Sequence, residues 1–201
     1  MGEREKTLFN ELAARWDDLR AADDNKIADL VRMAGLDAGD AVLDVGCGTG
    51  VLLPHLLAAV GETGRVTAID FAENMINRAK AKIGRRDNIA FVVGDIWSFR
   101  PECVYDTVFC FNFFPHADDK PVFVARILDL LKECGSFVIM HDMPRAAVNA
   151  IHQDSRVVTE DRLPDGTTVA WTLLEAGYEV QQVIDDEEKY FLKAVKPMIR
   201  D

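Results

Sequence analysis

Along this chain the spacing of apolar residues switches between a period of two or less and a period near 3.6, and the switches outline strands alternating with helices. Residues 41–45 (AVLDV) set Ala41, Val42, Leu43 and Val45 around one acid, Asp44. A strand buried on both faces reads this way when one position is kept for function. A helix over about residues 49–59 follows, then a turn at 61–64, a second strand over 65–70 (RVTAID), a helix over 72–83 and a third strand over 89–93 (IAFVV). Residues 105–112 (YDTVFCFN) form a fourth strand, 122–132 an amphipathic helix with Val124, Ile127, Leu128 and Leu131 inward, and 136–140 a fifth strand. Helical spacing returns from Pro144, with Arg145, Asn149 and His152 on one face behind His141, and 163–177 reads as a helix stopped by Gly177. Residues 178–184 and 189–195 are strands joined by the acidic turn 185–188, short enough to pair them antiparallel. The order predicts an α/β, doubly wound sheet.

Ahead of the first strand, Leu8, Phe9, Leu12, Ala13 and Trp16 fall at helical spacings, and Ile27, Leu30, Val31 and Ala34 repeat the pattern after an acidic break at 17–24. These short helices cannot stand alone, and a stripe carrying Phe9 and Trp16 must cover something. It either packs on the sheet edge or lies over a pocket as a lid. The chain divides on this reading into a helical lid or extension, residues 1–40, and a ligand-binding domain, residues 41–201.

A chain of 201 residues can bury most of its unfolded surface without disulfides or metal. Cys47, Cys103, Cys110 and Cys134 are widely separated, and three of the four lie in apolar runs that suit buried, reduced thiols. The charged start MGEREKTLFN is unlike a signal peptide and no apolar run is long enough to span a membrane, so a soluble cytoplasmic protein with no membrane partner is expected. The net charge of -11 repels phosphate backbones, and the best basic patch is only Arg85 and Arg86. A small-molecule partner, and no nucleic acid, is expected.

Candidate chemistry sits at the strand ends. Gly46, Gly48 and Gly50 follow the first strand and let the backbone approach a ligand closely, with a helix amino terminus presenting N–H groups behind them. The second strand ends in Asp70, placed either to accept from ribose hydroxyls or to cap the next helix. With Asp44 and Asp95 it makes three carboxylates along the ligand-binding edge of a parallel sheet. Such an edge is poor for a pyrophosphate and good for a cationic nucleoside.

These residues resemble the class I S-adenosylmethionine-dependent methyltransferases. VLDVGCGTG is similar to that family's first motif, and AIDFAENM, VVGDI and the closing strand pair are similar to its later landmarks in order and spacing. The resemblance runs from Phe9 to about Pro197 and implies a Rossmann-like, seven-stranded, mostly parallel sheet with the last strand antiparallel. It implies the cofactor S-adenosylmethionine, with S-adenosylhomocysteine as product. Residue by residue, it implies Gly46, Cys47 and Gly48 against the methionine part, Asp44 on its ammonium and Asp70 on both ribose hydroxyls. It further implies Met75 beside adenine or ribose, Asp95 on the adenine amino group, the Ile96 N–H on a ring nitrogen, and Asn112 beneath the methyl-bearing sulfur. FNELAARWDD resembles the lid helix of small-molecule methyltransferases of the quinone-methylating type. Asn112 is followed by Phe113, Phe114, Pro115 and His116, a departure from the Asn-Pro-Pro-aromatic signature that argues against nucleobase or amide acceptors.

If the acceptor is a hydroxyl or thiol, a base is needed, and histidine suits neutral pH. His116 and His141 are the expected general bases, with His152, Arg145, Asn149, Phe113 and the lid residues Phe9 and Trp16 toward the substrate; Phe114 joins the apolar lid. His55, on the first helix of the domain, reads as structural. No metal is expected, because the histidine spacing lacks a ligand signature. A nicotinamide-dependent oxidoreductase and a non-catalytic cofactor-binding module stand as alternatives; against the former, Val51 occupies the place of the last dinucleotide-motif glycine. The sequence leaves the acceptor and the oligomeric state open, a homodimer included.

Overall fold

The computed structural model describes residues 2–20, 22–153, 158 and 161–198. Seven strands, β1 (Ala41–Val45), β2 (Arg65–Asp70), β3 (Ile89–Val93), β4 (Tyr105–Phe111), β5 (Leu131–His141), β6 (Glu179–Asp185) and β7 (Tyr190–Val195), form one sheet in the order β3-β2-β1-β4-β5-β7-β6. β2 is parallel to β1 and β3, β5 is parallel to β4, and β7 runs antiparallel between β5 and β6. The seven-stranded, mostly parallel sheet with its last strand antiparallel is therefore as expected. Contacts group the chain into two units, Met1–Pro101 and Glu102–Asp201.

In the first unit all five positions of β1 are buried, so Asp44 goes into the interior with Val42, Leu43 and Val45. Burying each of these aliphatic side chains stabilises the fold by roughly 1.5–3 kcal/mol, enough to carry one acid inward. α1 (Glu3–Leu12), a 3-10 turn at Ala13–Arg15 and α2 (Trp16–Leu19) precede α3 (Asp24–Ala34). Asp23 caps α3 by accepting from the Asn25 and Lys26 N–H groups, and its apolar face buries Ile27, Leu30, Val31 and Ala34. α4 (Leu53–Val60) begins four residues later than the spacing predicts. Pro54 explains this, because proline is tolerated in a helix's first turn and breaks its interior, so residues 49–52 are loop. α5 (Glu73–Ile83) follows β2.

In the second unit α6 (Lys120–Leu130) starts earlier than predicted because Asp119 caps it, accepting from the Val122 N–H, with Pro121 in the first turn. β5 is longer than expected, opening at Leu131 and passing through Cys134, which takes a positive φ of 61°. α7 (Arg145–Gln153) is followed by α8 (Gly166–Glu175), whose start is set by Pro164 and by the Asp165 cap on the Thr168 N–H. In the β6–β7 turn, Asp186 accepts from the Glu188 and Lys189 N–H groups. Cys47 and Cys110 are buried, whereas Cys103 and Cys134 are exposed, so one thiol fewer than expected lies inside. Among the described residues no helix is long and apolar enough to cross a membrane.

Candidate functional site

The glycine loop of the first unit spends its donors on its own strands. The Gly46 and Cys47 N–H groups both donate to the Ile69 carbonyl, at 2.9 and 3.1 Å, Gly48 N–H donates to Asp70 Oδ2 at 2.9 Å, and Gly50 N–H donates to the Cys47 carbonyl at 2.9 Å. The expected array of N–H groups aimed at a ligand is therefore absent at these four positions, and α4 begins only at Leu53. Phosphate cradles are built from such donors, so this loop is poorly equipped for a pyrophosphate. Gly48 and Gly50 serve different ends. A Cβ on Gly48, at φ +53°, would have no neighbour within 4 Å, whereas one on Gly50, at φ +81°, would lie 2.9 Å from Leu53 Cδ1 and 3.0 Å from the Ala79 Cβ. Gly48 faces open space; Gly50 is where loop and helix pack closely.

Asp44 is 1% exposed, and neither carboxylate oxygen has a hydrogen-bond partner among the described residues. Burial, together with the nearby Asp70, pushes its carboxyl up to about 8. The same burial, with Asp44 and Asp70 nearby, raises the Cys47 thiol. A buried ionised carboxylate without a partner costs several kcal/mol, so in the unliganded chain Asp44 keeps its proton at neutral pH, and a cation delivered beside it reverses the preference. Asp70 accepts from the Ala72 N–H through Oδ1 at 2.8 Å and from Gly48 through Oδ2. Ala72, not Asp70, is the capping residue of α5. Asp95 lies just beyond β3 and accepts from the Trp97 N–H at 3.0 Å, with the buried Ile96 between them.

Three contacts fasten the N-terminal segment to this same region of the first unit. Phe9 and Trp16 pack on a cluster of Ala13, Ala72 and the buried Met75, and Phe9 meets both Trp16 and Phe71 edge-on at 5.5 and 6.0 Å. Asn10 takes the Asn74 N–H on its side-chain oxygen at 2.9 Å and the Asn74 side-chain amide on its carbonyl at 3.1 Å, satisfying a donor in the first turn of α5. Asp17 accepts from the Thr49 hydroxyl of the glycine loop at 2.5 Å and pairs with Lys82 at 2.9 Å. The sequence reading found Phe9, Trp16 and Met75 by spacing and by likeness. It missed Phe71, Asn74 and the Asp17–Thr49 link, for which no local pattern exists. His55, read as structural, pairs with Asp24 at 2.9 Å.

The second unit gathers the other predicted residues. Asn112 leaves β4 at φ 53°, a conformation asparagine tolerates; its N–H donates to the Met140 carbonyl and its side-chain amide to Asp142 at 2.9 Å, while its buried Oδ1 has no hydrogen-bond partner among the described residues. Phe113 packs on Phe123 at 5.9 Å, and Phe114 is fully buried against Phe123 at 6.1 Å. Phe114 is thus strand-end core rather than lid. His141, 1% exposed, meets the Tyr190 ring edge-on at 5.7 Å. His116 and His152, each 7% exposed, have ring centroids 5.0 Å apart. His116 Nδ1 lies 2.6 Å from Asp161 Oδ2 and His152 Nδ1 lies 2.7 Å from the Asp161 carbonyl. Asp161 went unnoticed in the sequence because nothing local announces a partner 45 residues from its histidine. Arg145 donates to Asp185 at 2.8 Å, and Asn149 exchanges two hydrogen bonds with the Leu163 backbone at 3.0 and 2.8 Å. These two side chains brace α7 against the segments that follow it.

Residues 42–135 match a family model described as a methyltransferase domain. The chain is similar to malonyl-[acyl-carrier protein] O-methyltransferase 1 of Ilyobacter polytropus, with 31% identity over 90 residues, 45% of this chain and 33% of that protein. It is also similar to demethylmenaquinone methyltransferase of Staphylococcus aureus, with 48% identity over 61 residues, 30% of this chain and 25% of that protein. The matched stretch thus spans a third or less of each of these curated relatives. Among solved structures, a SAM-dependent methyltransferase of Aquifex aeolicus superposes with a TM-score of 0.67 at 24% identity, covering 87% of this chain and 99% of that one. The fold is that of the class I methyltransferases.

Proposed function

We infer that this chain, which carries a methyltransferase domain on the class I fold, is a cytoplasmic S-adenosylmethionine-dependent methyltransferase acting on a small acceptor. The observation that carries the reading is Asp44, a buried carboxylate near the end of β1 with no hydrogen-bond partner among the described residues. Such a group fits a cationic ligand, and the open space at Gly48 leaves room for that ligand against the backbone. The loop donors already spent within the first unit argue against a dinucleotide and hence against an oxidoreductase.

When bound, the cofactor supplies a methyl group made electrophilic by its sulfonium. In this reading Asp44 gives up its proton and holds the ammonium, while Gly46, Cys47 and Gly48 form the wall beside the amino acid part. Asp70 accepts from the ribose hydroxyls. Each of its oxygens takes one backbone N–H, which fixes the carboxylate. Met75 packs against the nucleoside, Asp95 and the Ile96 N–H read the adenine edge, and Asn112 lines the methyl-bearing end. Residues 1–40 act as the lid, with Phe9 and Trp16 as its apolar face. On the acceptor side stand Phe113 and His152, with His116 rather than the core-packed His141 as the base. The named relatives are an O-methyltransferase of malonyl-[acyl-carrier protein] and a methyltransferase of demethylmenaquinone, which supports an acceptor outside nucleic acid.

The test is methyl transfer from methyl-labelled S-adenosylmethionine to a panel of phenol, quinol, thiol and carboxylate acceptors, read as labelled product and S-adenosylhomocysteine. Turnover on one class supports the reading. Tight cofactor binding with no turnover on any acceptor replaces it with a non-catalytic binding module.

A further inference from the structure

Two polar residues of the second unit stand at the carboxyl ends of adjacent parallel strands. Asn112 follows β4 and Asp142 follows β5, with Phe111 and Met140 in register just before them. Doubly wound sheets bind their ligands at the carboxyl ends of strands. The Asn112 N–H donates to the Met140 carbonyl at 3.0 Å, which carries the ladder one residue beyond β4 while the backbone turns to φ 53°. The Asn112 side-chain NH2 donates to Asp142 Oδ1 at 2.9 Å.

An amide has one donating end and one accepting end, whereas a carboxylate only accepts. Turning the Asn112 amide over would set two accepting oxygens against each other, so Asp142 decides which end is which. The end left over is Oδ1, a buried atom with no hydrogen-bond partner among the described residues. A buried oxygen left unmet costs free energy, and native structures seldom keep one without a use. The left-handed backbone at Asn112 points the same way, because strained conformations of non-glycine residues gather at functional sites. Asn112 as a whole is only partly buried, so its amide is within reach of an entering group.

We propose that Asp142 is a positioning residue that locks the Asn112 amide, and that Asn112 Oδ1 receives a polar hydrogen carried by the methyl acceptor. The place of this atom at the methyl-bearing end rests on the methyl-transfer reading, while the orientation of the amide does not. The hydrogen bond selects a nucleophile that enters with its own hydrogen, a hydroxyl, thiol or amine. It disfavours a carboxylate, whose oxygens would face Oδ1 with no hydrogen between them. Holding that hydrogen to one side also leaves a lone pair of the same atom to meet the methyl carbon. Asn112 accepts a hydrogen bond in this role and takes no proton.

Spectra of the full chain labelled with 15N-asparagine test the positioning role. Asn112→Gly assigns the signal, since glycine suits the left-handed backbone. The Asn112 NH2 pair is expected to show one proton shifted downfield and slow to exchange, and Asp142→Ala to abolish both features. Asn149, held by the Leu163 backbone, keeps its signals and reports an intact fold. An Asn112 pair that ignores Asp142→Ala overturns the positioning role.

Calorimetric titration with S-adenosylhomocysteine and with sinefungin tests the ligand. Sinefungin is the analogue whose amino group puts polar hydrogens where cofactor and methyl acceptor meet. The wild type is expected to bind it more tightly than S-adenosylhomocysteine. Asn112→Gly and Asp142→Ala should each cut that preference by about tenfold, as for one hydrogen bond to a charged group. Equal affinities in the wild type, or a preference that survives either substitution, overturn the role of Oδ1. Binding of neither ligand overturns the methyl-transfer reading and the role of Oδ1 with it, and the amide signals then decide Asp142 by themselves.

Discussion

Asp70, the last residue of β2, accepts a hydrogen bond from the backbone N–H of Gly48 at 2.9 Å, across 22 residues of sequence. One carboxylate thus ties the glycine loop after β1 to the start of α5, since its other oxygen takes the Ala72 N–H at 2.8 Å. Replacing Asp70 by Ala leaves two backbone donors unpaired, at a cost of about 1–3 kcal/mol for each that stays buried. The expected outcome is a lower melting temperature and, because the same group is assigned to the ribose, a loss of S-adenosylhomocysteine affinity of at least about tenfold. Calorimetric titration and thermal unfolding of the variant check both. Unchanged affinity removes Asp70 from the ligand.

Asp44 makes ligand binding and stability depend on pH in opposite senses. Its folded-state pKa of about 8 lies above the ordinary 3.8, so between these values the folded chain holds a proton that the unfolded chain has lost. This group's contribution to stability therefore falls as pH rises from 4 to 8, by at most about 1.4 kcal/mol per pH unit, and is level above that. A cationic ligand reverses the preference. Its binding at pH 7 should release up to about one proton, and its affinity should rise between pH 6 and 8. Titrations of S-adenosylhomocysteine in buffers of different ionisation enthalpy measure the release, which Asp44→Asn should abolish.

The two loop glycines should separate stability from binding. In Gly50→Ala the new methyl meets Leu53 Cδ1 at 2.9 Å and Ala79 at 3.0 Å in a left-handed backbone, which predicts a loss of about 2–4 kcal/mol. In Gly48→Ala the methyl meets nothing, so only the left-handed penalty of about 1–2 kcal/mol remains. Yet Gly48→Ala should weaken the cofactor strongly, because the methyl occupies the open side of the loop. Chemical denaturation and ligand titration of both variants, side by side, test this ordering.

How legible was this in the sequence? The alternation of strands and helices located all seven strands, because apolar runs bounded by turns carry that signal locally. Helix starts were less legible. The α4 boundary moved because Pro54 belongs in a first turn, and α6 starts two residues earlier because Asp119 is a cap, both readable from turn chemistry that periodicity ignores. Asp44 stood out as an acid within an apolar strand. The Asp161–His116 and Asp17–Thr49 links did not, since each joins residues more than 30 positions apart and rests on tertiary placement alone. Arg145 and Asn149 shared a helix face with His152 as the spacing said, but spacing cannot tell whether such a face meets a ligand or, as here, Asp185 and Leu163.

The lid assignment predicts coupling between the N-terminal segment and the loop. Asn10→Ala removes both hydrogen bonds to Asn74, and Asp17→Ala removes the Thr49 and Lys82 contacts, each partly exposed and worth about 0.5–1.5 kcal/mol. The double variant should speed amide exchange over residues 3–19 while leaving β1 and β2 protected. Added S-adenosylhomocysteine should slow exchange in that segment of the wild type. Exchange there that ignores the ligand counts against a lid.

The central claim is that the acidic strand ends and the phosphate-averse glycine loop beside β1 hold an adenosyl sulfonium cofactor. Calorimetric titration of the full chain with S-adenosylmethionine, S-adenosylhomocysteine and NAD tests it most directly. The account predicts binding of both adenosyl ligands and none of NAD. Binding of NAD without the other two would contradict it and assign the glycine loop to nicotinamide chemistry.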